Sequence, residues 1–154
     1  HDLCRRQRQM CIRDSLLNLN QKIYKRFYKF NDFQFIAIGT KEINMQVENL
    51  VAQLQSGTNT EMTKWFFILQ ESKYSKNLFE SLGTDLKLDE FHGSPYVFII
   101  DKKGFLRGRN DSDGIKFGYD MRSVAELNNY MVDDVKIILA EYRLALKKNN
   151  ILDN

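Results

Sequence analysis

The sequence has few of the residues that mark several large classes of protein. Only two of its 154 residues are cysteine, Cys4 and Cys11. Two cysteines are too few for a disulfide framework, and their separation fits neither the zinc motifs nor the closely spaced redox pairs. No apolar run is longer than residues 96–100, which is far shorter than the roughly 18 residues that a membrane-spanning helix needs. The net charge is only +3 and basic residues are interspersed with acidic ones, so we expect no nucleic-acid-binding surface.

The residues that are present indicate one folded domain. Apolar residues make up 43% of the chain, aromatic residues 12% and charged residues 28%. This composition excludes disorder over most of the chain. A chain of 154 residues is also long enough to bury a core, so a single domain of ordinary size is the expectation.

The first 14 residues differ in composition from the rest of the chain. They contain four Arg, no Lys and both cysteines, whereas the other 140 residues contain five Arg and fourteen Lys. They lack the apolar segment and the cleavage site of a signal peptide. The run at 8–15 resembles translated adaptor sequence, and we therefore interpret residues 1–14 as a non-native or disordered leader. The alternative is a basic arm that carries two working thiols.

From residue 15 onward, apolar periodicity predicts alternating helices and strands. Apolar residues at three- and four-residue spacing predict a helix over 15–30, which Asp14 or Ser15 would cap at its start. A short run of aromatic and branched residues then predicts a buried strand over 33–38 that ends at Gly39.

The middle of the chain continues this alternation. Helical spacing returns over 43–54, and Ser56–Gly57 would stop that helix. The apolar run 65–69 predicts a second strand, and spacing over 74–82 predicts a third helix that ends at Gly83.

The last part of the chain predicts a hairpin and a closing helix. Residues 96–101 form the strongest strand pattern, and the turn 102–104 leads to an antiparallel partner over 105–109. A polar, glycine-containing loop follows over 110–118, and apolar spacing over 124–142 predicts a long final helix.

This order predicts an α/β protein with a central mixed sheet flanked by helices. Parallel strands are joined through helices such as the opening one, so we expect a first strand before residue 15 that is missing from this sequence. Because the chain also begins without Met, we expect an N-terminally truncated protein. The arrangement is that of a thioredoxin-like fold over residues 15–148, followed by a tail at 149–154.

Several stretches of the chain carry a resemblance to a known family. They are Asn18–Leu19 with Phe27 and residues 33–38, the tryptophan-led strand 65–69, the segment His92–Gly104, the strand Leu106–Arg109 and the helix Asp133–Leu139. Together they cover about residues 16–147 and resemble the Sco/SenC family of membrane-tethered copper chaperones and thiol oxidoreductases, which use a thioredoxin-like fold.

The resemblance implies a copper site. In the family, two thiolates of a Cys-x-x-x-Cys motif and one histidine hold the metal; soft thiolates select Cu(I), and a neutral imidazole completes the site. His92 matches the family's histidine, and Cys11 lies near the place expected for a cysteine. Ser94 and Pro95 would lie beside the site, and we expect the Ser94–Pro95 peptide bond to be cis, as beside the redox cysteines of thioredoxin-like folds.

The resemblance also implies a role in assembling the copper site of cytochrome c oxidase. The partner would be a subunit of that oxidase or another copper or thiol client protein. The location would be the periplasmic side of the inner membrane, with an N-terminal anchoring helix that this sequence does not contain. No Cys-x-x-x-Cys motif is present, and Lys41 stands in the loop where the family commonly carries acidic residues.

Three functions therefore stay open for this chain. The first is copper delivery, although we expect no copper binding by these 154 residues alone. The second is an enzyme, a thiol-disulfide oxidoreductase in which the cysteine pair works without metal. The third is a thioredoxin-fold binding module with neither chemistry.

Overall fold

Helices and strands alternate along the chain, as the sequence patterns predict. The structure is a computed structural model that describes residues 12–41, 44–110 and 118–152. Helix α1 covers residues 12–27 and helix α4 covers 124–152. The elements between them are β1 (Phe35–Thr40), α2 (Asn44–Thr58), β2 (Trp65–Gln70), α3 (Ser72–Ser81), β3 (Tyr96–Val97), β4 (Ile99–Ile100), β5 (Leu106–Arg107) and β6 (Tyr119–Asp120).

Both long helices contain one π-helical turn. The turn in α1 is Asn20–Tyr24, and the turn in α4 is Leu127–Met131. A π-helical turn inserts one extra residue and shifts the buried face of the helix that follows. Among the described residues, no helix combines the length and the apolar content that crossing a membrane requires.

The strands of the described residues form three two-stranded ladders. β1 and β2 pair in parallel, with Phe35 opposite Trp65, while β3 pairs antiparallel with β6 and β4 pairs antiparallel with β5. The protein is therefore α/β with strands of both orientations. Within the described ranges, however, the ladders do not join into the single central sheet that we expected. The predicted strand 96–101 is divided at Phe98, because its first half pairs with β6 and its second half with β5.

The core lies between α1, α4 and the inner face of the β1–β2 ladder. Phe35 and Trp65 meet edge to face with ring centroids 4.6 Å apart, and Tyr24 packs on both rings. Met131, on the apolar stripe predicted for the final helix, is 2% exposed. The buried cluster consists of Leu19, Ile23, Tyr24, Phe27, Phe35, Trp65, Tyr119, Met121, Leu127, Met131, Val132 and Val135.

A buried asparagine ties α1 to α2 and β2. Asn20, in the π-helical turn of α1, is fully buried. Its Nδ2 donates to Thr58 Oγ1 at 2.8 Å, and its Oδ1 accepts from Trp65 Nε1 at 2.9 Å. Thr58 Oγ1 also donates to the Leu54 carbonyl at 2.7 Å. Because buried polar groups cost free energy unless they are hydrogen-bonded, this arrangement holds the three elements in one relative position.

Several element ends differ from the sequence predictions. Residues 12–14, which we assigned to the leader, are helical and continuous with α1, so neither Asp14 nor Ser15 caps that helix. At the other end of the chain, residues 149–152 of the predicted tail continue α4. Strand β1 begins at Phe35 and extends through Gly39 to Thr40.

The two glycine-based stop signals have different outcomes. Helix α2 runs through Ser56–Gly57, and it ends at Thr58, before Asn59, which has a φ of 49°. A Cβ at Gly57 would lie 2.8 Å from Leu17 Cδ2, so Gly57 permits close approach of α2 to α1 rather than ending α2. Gly83 does follow the end of α3 and has a φ of 68°, as a helix-terminating glycine requires.

Candidate functional site

His92 lies in a loop that one aspartate closes. Asp89 Oδ1 accepts hydrogen bonds from the backbone N–H of Phe91 at 2.8 Å and of Gly93 at 2.9 Å. The backbone N–H of Asp89 donates to the Gly93 carbonyl at 2.9 Å, and that of His92 donates to the Asp89 carbonyl at 3.0 Å. Four hydrogen bonds thus fix a loop of five residues.

This loop places His92 at the surface in an unusual backbone conformation. His92 is exposed and has a φ of 61°, in the left-handed region that non-glycine residues adopt only when the surroundings hold them there. The hydrogen bonds that Asp89 accepts from Phe91, His92 and Gly93 supply that restraint. Sequence reasoning singled out His92 and missed Asp89, although an Asp followed four residues later by Gly is a local signal for such a turn.

Ser94 and Pro95 lead from this loop into β3. Ser94 Oγ accepts from the Tyr96 backbone N–H at 3.2 Å, and the Pro95 carbonyl accepts from the Met121 N–H at 2.9 Å. No described peptide bond is cis, so the expected cis Ser94–Pro95 bond is wrong. Pro95 precedes the two residues that pair with β6, where the missing proline N–H takes nothing from the ladder.

The residues around His92 do not form a copper site by themselves. In the described part of the chain, no group of three or more His, Cys, Asp or Glu side chains could hold a metal ion. The carboxylate oxygen Oδ1 of Asp89 accepts two backbone N–H groups, and oxygen is a poor ligand for Cu(I) in comparison with sulfur. Cys4 and Cys11 lie outside the described residues. The described part of the chain therefore supplies the His92 imidazole and no thiolate.

The hairpin that follows β3 is fixed to α4 by two arginines. Arg107 donates to both carboxylate oxygens of Glu141 at 2.8 and 3.0 Å, and it lies 3.4 Å from Asp101. The Arg107 hydrogen bond lowers the pKa of Glu141, and the backbone N–H of Phe105 is the main cause that lowers the pKa of Asp101. These pairs anchor the hairpin and neutralise part of its basic charge.

The second arginine belongs to a partly buried network. Arg109 Nε lies 3.0 and 3.1 Å from the two oxygens of Asp134, and its guanidinium lies 4.8 Å from the centre of the Tyr130 ring. Tyr119 donates its hydroxyl hydrogen to Asp134. Burial, together with this hydrogen bond to a carboxylate, raises the pKa of the Tyr119 hydroxyl. The network joins β6 to α4 beside the strand that leads from Pro95.

The outer face of the β1–β2 ladder is apolar and half exposed. Ile36 lies opposite Phe66 and Ile38 opposite Ile68 in the parallel register. The four side chains are between 42% and 53% exposed. We predicted strands buried on both faces from their apolar runs, and this is wrong for the outer face. Helix α3 contacts β1, but no α3 residue is buried, so α3 does not cover that face.

Comparisons of the chain with protein-family models, with curated proteins and with solved structures found no match. The resemblance to the Sco/SenC family therefore stays a prediction. The site that the structure offers for it is His92 on its closed loop, followed by a trans Ser94–Pro95 bond and the start of β3.

Proposed function

We propose that this protein is a thioredoxin-like domain of the Sco/SenC type that acts in the assembly of the copper site of cytochrome c oxidase, on the periplasmic side of the inner membrane. In this proposal His92 is the nitrogen ligand that the domain contributes. The observation that carries the proposal is the exposed His92, held by Asp89 at the entrance to β3. A ligand on a closed loop needs little reorganisation to bind a metal.

The order of the elements supports the thioredoxin-like part of the proposal. A parallel pair joined by a helix, then a helix, an antiparallel hairpin and a closing helix follow one another. The backbone N–H of Phe35 donates to the Lys64 carbonyl, just before β2. Along a parallel ladder, successive residues direct their N–H and C=O groups alternately toward and away from the partner strand. The backbone groups of Ile36 and Ile38 therefore point away from β2. Within the described residues no strand pairs with that edge, where a thioredoxin-like sheet would continue.

The contribution of the described residues to copper binding would be to position one ligand, His92. A neutral imidazole at His92 completes a Cu(I) site only when thiolates are present, and the described residues contain none. Asp89 would act as a positioning residue, because its hydrogen bonds hold the loop that sets the backbone conformation of His92. The second candidate ligand, Cys11, stays a prediction outside the described residues.

The sequence of the gene upstream of the His1 codon separates the open functions. A Cys-x-x-x-Cys motif there supports copper delivery, whereas a Cys-x-x-Cys motif favours a thiol-disulfide oxidoreductase. An upstream sequence without cysteine favours the binding module and contradicts our proposal.

Titration with Cu(I) against a competing chelator tests the role of His92 directly. We expect no tight stoichiometric binding by these 154 residues. In the gene product that contains the cysteine pair, His92→Ala should lower Cu(I) affinity by at least the roughly 10–100-fold typical of residues that support a metal site. Asp89→Asn should have a smaller effect on affinity, because the amide oxygen still accepts N–H groups. Unchanged affinity in His92→Ala would remove His92 from the site.

The non-catalytic binding module is the second candidate, and the outer face of the β1–β2 ladder favours it. Half-exposed Ile36, Ile38, Phe66 and Ile68 form a contiguous apolar surface, which in soluble proteins marks an interaction site. The partner that the resemblance implies is a subunit of cytochrome c oxidase. We expect Phe66→Glu to weaken binding to that subunit, and Phe105→Glu, which changes a 64% exposed hairpin residue, to leave it unchanged. Equal effects of the two substitutions would contradict binding through this face.

A further inference from the structure

The last turns of α4 extend beyond the core. The buried residues of the helix, including Val135 and Ile138, lie in its first half. From Arg143 to Ile151 all nine residues are exposed, and at about 1.5 Å per residue they extend the helix by roughly 13 Å. Helices of this length gain most of their stability in water from packing of an apolar face, so a contact for these turns is expected.

An apolar, largely exposed stripe runs along α4 from Tyr130, whose ring also contacts Arg109, to Ile151. Tyr130, Ile137, Leu144 and Ile151 follow one another at intervals of seven residues, and they are 49%, 55%, 62% and 75% exposed, respectively. Seven residues make about two helical turns, so the three residues of the stripe that follow the π-helical turn, Ile137, Leu144 and Ile151, share one face. At about 100° per residue that face lies opposite the buried Val135. The helix is therefore apolar on two sides, which is typical of a helix with a second partner.

The charges of α4 differ between its earlier turns and its last turns. Up to Glu141 the helix carries four acidic residues and one basic residue, whereas its last turns carry three basic residues; the first group is Glu126, Asp133, Asp134, Glu141 and Lys136, and the second is Arg143, Lys147 and Lys148. Asp134 and Glu141 pair with the hairpin arginines, whereas Asp133 and Lys148 are exposed near the apolar stripe. A helix with this asymmetry is complementary to a second copy of itself that runs in the opposite direction.

We propose that two copies of this protein pair through α4 in an antiparallel, two-fold arrangement. With the two-fold axis between Ala140 and Glu141, Ile137 packs beside Leu144 of the partner subunit and Tyr130 beside Ile151 of the partner subunit. The same register brings Asp133 to Lys148 of the partner subunit. All four members of the apolar stripe are used, and each contact occurs twice, as an isologous interface requires.

The charges argue against the parallel alternative. A parallel pair would place Lys147 and Lys148 beside the same residues of the second copy, and such like-charge contacts are destabilising. The antiparallel pair separates them and gives Lys148 an acidic neighbour. This inference does not depend on copper chemistry or on the outer face of the β1–β2 ladder.

Sedimentation velocity over a range of protein concentrations tests the association. We expect the wild-type mass to approach twice the monomer mass as concentration rises, and Leu144→Glu to raise the dimer dissociation constant by at least tenfold. Leu146→Glu is the matched control, because Leu146 is 56% exposed on the same turns but lies about 200° around the helix. Leu146 lies about one helical turn after Tyr142, whose hydroxyl faces the hairpin and accepts a hydrogen bond from the Lys102 N–H.

Disulfide trapping tests the direction and register of the pair. In a Cys4→Ser, Cys11→Ser background, a mixture of Ile137→Cys and Leu144→Cys proteins should give a disulfide between the two variants, while each variant alone should give little. A parallel pair would give the opposite result. Circular dichroism of each variant confirms that helix content is retained, so that a loss of dimer reports on the interface.

A charge exchange tests the predicted contact between Asp133 and Lys148. Asp133→Lys and Lys148→Asp should each weaken the dimer, and the double variant should restore it. The proposal is overturned if the wild-type protein stays monomeric at millimolar concentration. It is also overturned if Leu146→Glu dissociates the dimer as strongly as Leu144→Glu does, or if Ile137→Cys cross-links to itself in preference to Leu144→Cys.

Discussion

Replacement of the buried Asn20 by alanine should destabilise the protein strongly. The substitution removes the acceptor of the Trp65 Nε1–H bond at 2.9 Å and the donor to Thr58 at 2.8 Å. Trp65 is only 8% exposed, and an unpaired buried donor costs about 1–3 kcal/mol. Thr58 loses less, because its hydroxyl still donates to the Leu54 carbonyl. With a small cavity added, we expect Asn20→Ala to lower the free energy of unfolding by roughly 2–4 kcal/mol.

Urea unfolding followed by circular dichroism measures this loss, and a double-mutant cycle assigns it. Trp65→Phe removes the indole N–H, so Asn20→Ala should cost about 1–2 kcal/mol less in that background. Asn18→Ala is the matched control on the same helix. Asn18 Nδ2 donates to the Met121 carbonyl at 3.2 Å, so its loss should cost about 1 kcal/mol and should not couple to Trp65.

Two results would refute this reasoning about the buried asparagine. The first is a cost for Asn20→Ala that does not exceed that of Asn18→Ala. The second is a cycle in which the effects of Asn20→Ala and Trp65→Phe simply add, since additivity indicates that the two side chains do not share an interaction.

Three further predictions concern pH dependence and backbone conformation. The raised pKa of Tyr119 favours its neutral form in the folded state. The contribution of Tyr119 to stability is therefore complete below about pH 10, where unfolded tyrosine ionises, and is lost as pH rises beyond it. Tyr119→Phe should flatten the alkaline limb of a curve of stability against pH, and an unchanged limb would contradict this. Asp101 has a lowered pKa, so its contribution to stability is present above about pH 4 and is lost as pH falls. Asp101→Asn should make the free energy of unfolding less sensitive to acid. Equal acid sensitivity in the two proteins would exclude Asp101 as a cause. Gly83 has a φ of 68°, and no atom lies within 4 Å of an added Cβ. Gly83→Ala should therefore lower the free energy of unfolding, measured with urea, by about 1–2 kcal/mol through backbone conformation alone. A stabilised variant would show that α3 ends differently.

Local periodicity predicted the kinds of element well, and their ends less well. The stripe over 15–30 and the run 65–69 correspond to α1 and β2, because a repeated apolar spacing is a property of the chain itself. The predicted stop at Gly57 was wrong because that glycine lies against Leu17 of α1, a contact between residues far apart in sequence. Strand β6, with two residues, is too short to carry any period.

The candidate site shows the same division between local and distant information. The sequence alone singled out His92 and its neighbour Pro95. The Ser94–Pro95 bond is trans, and the Pro95 carbonyl accepts a hydrogen bond from the N–H of Met121, a residue distant in sequence. The position of Asp89 in the loop was readable from its spacing to Gly93, but its role required the hydrogen bonds themselves.

By itself, the sequence determined the α/β order of elements and the position of His92 before the hairpin, because spacing and composition act through neighbouring residues. Only the tertiary structure decided that β1 and β2 bury one face and leave the other half exposed, since an apolar run carries no information about how many helices cover it. The same holds for the apolar stripe on α4. Its seven-residue spacing is written in the sequence, but its exposure depends on where the core ends.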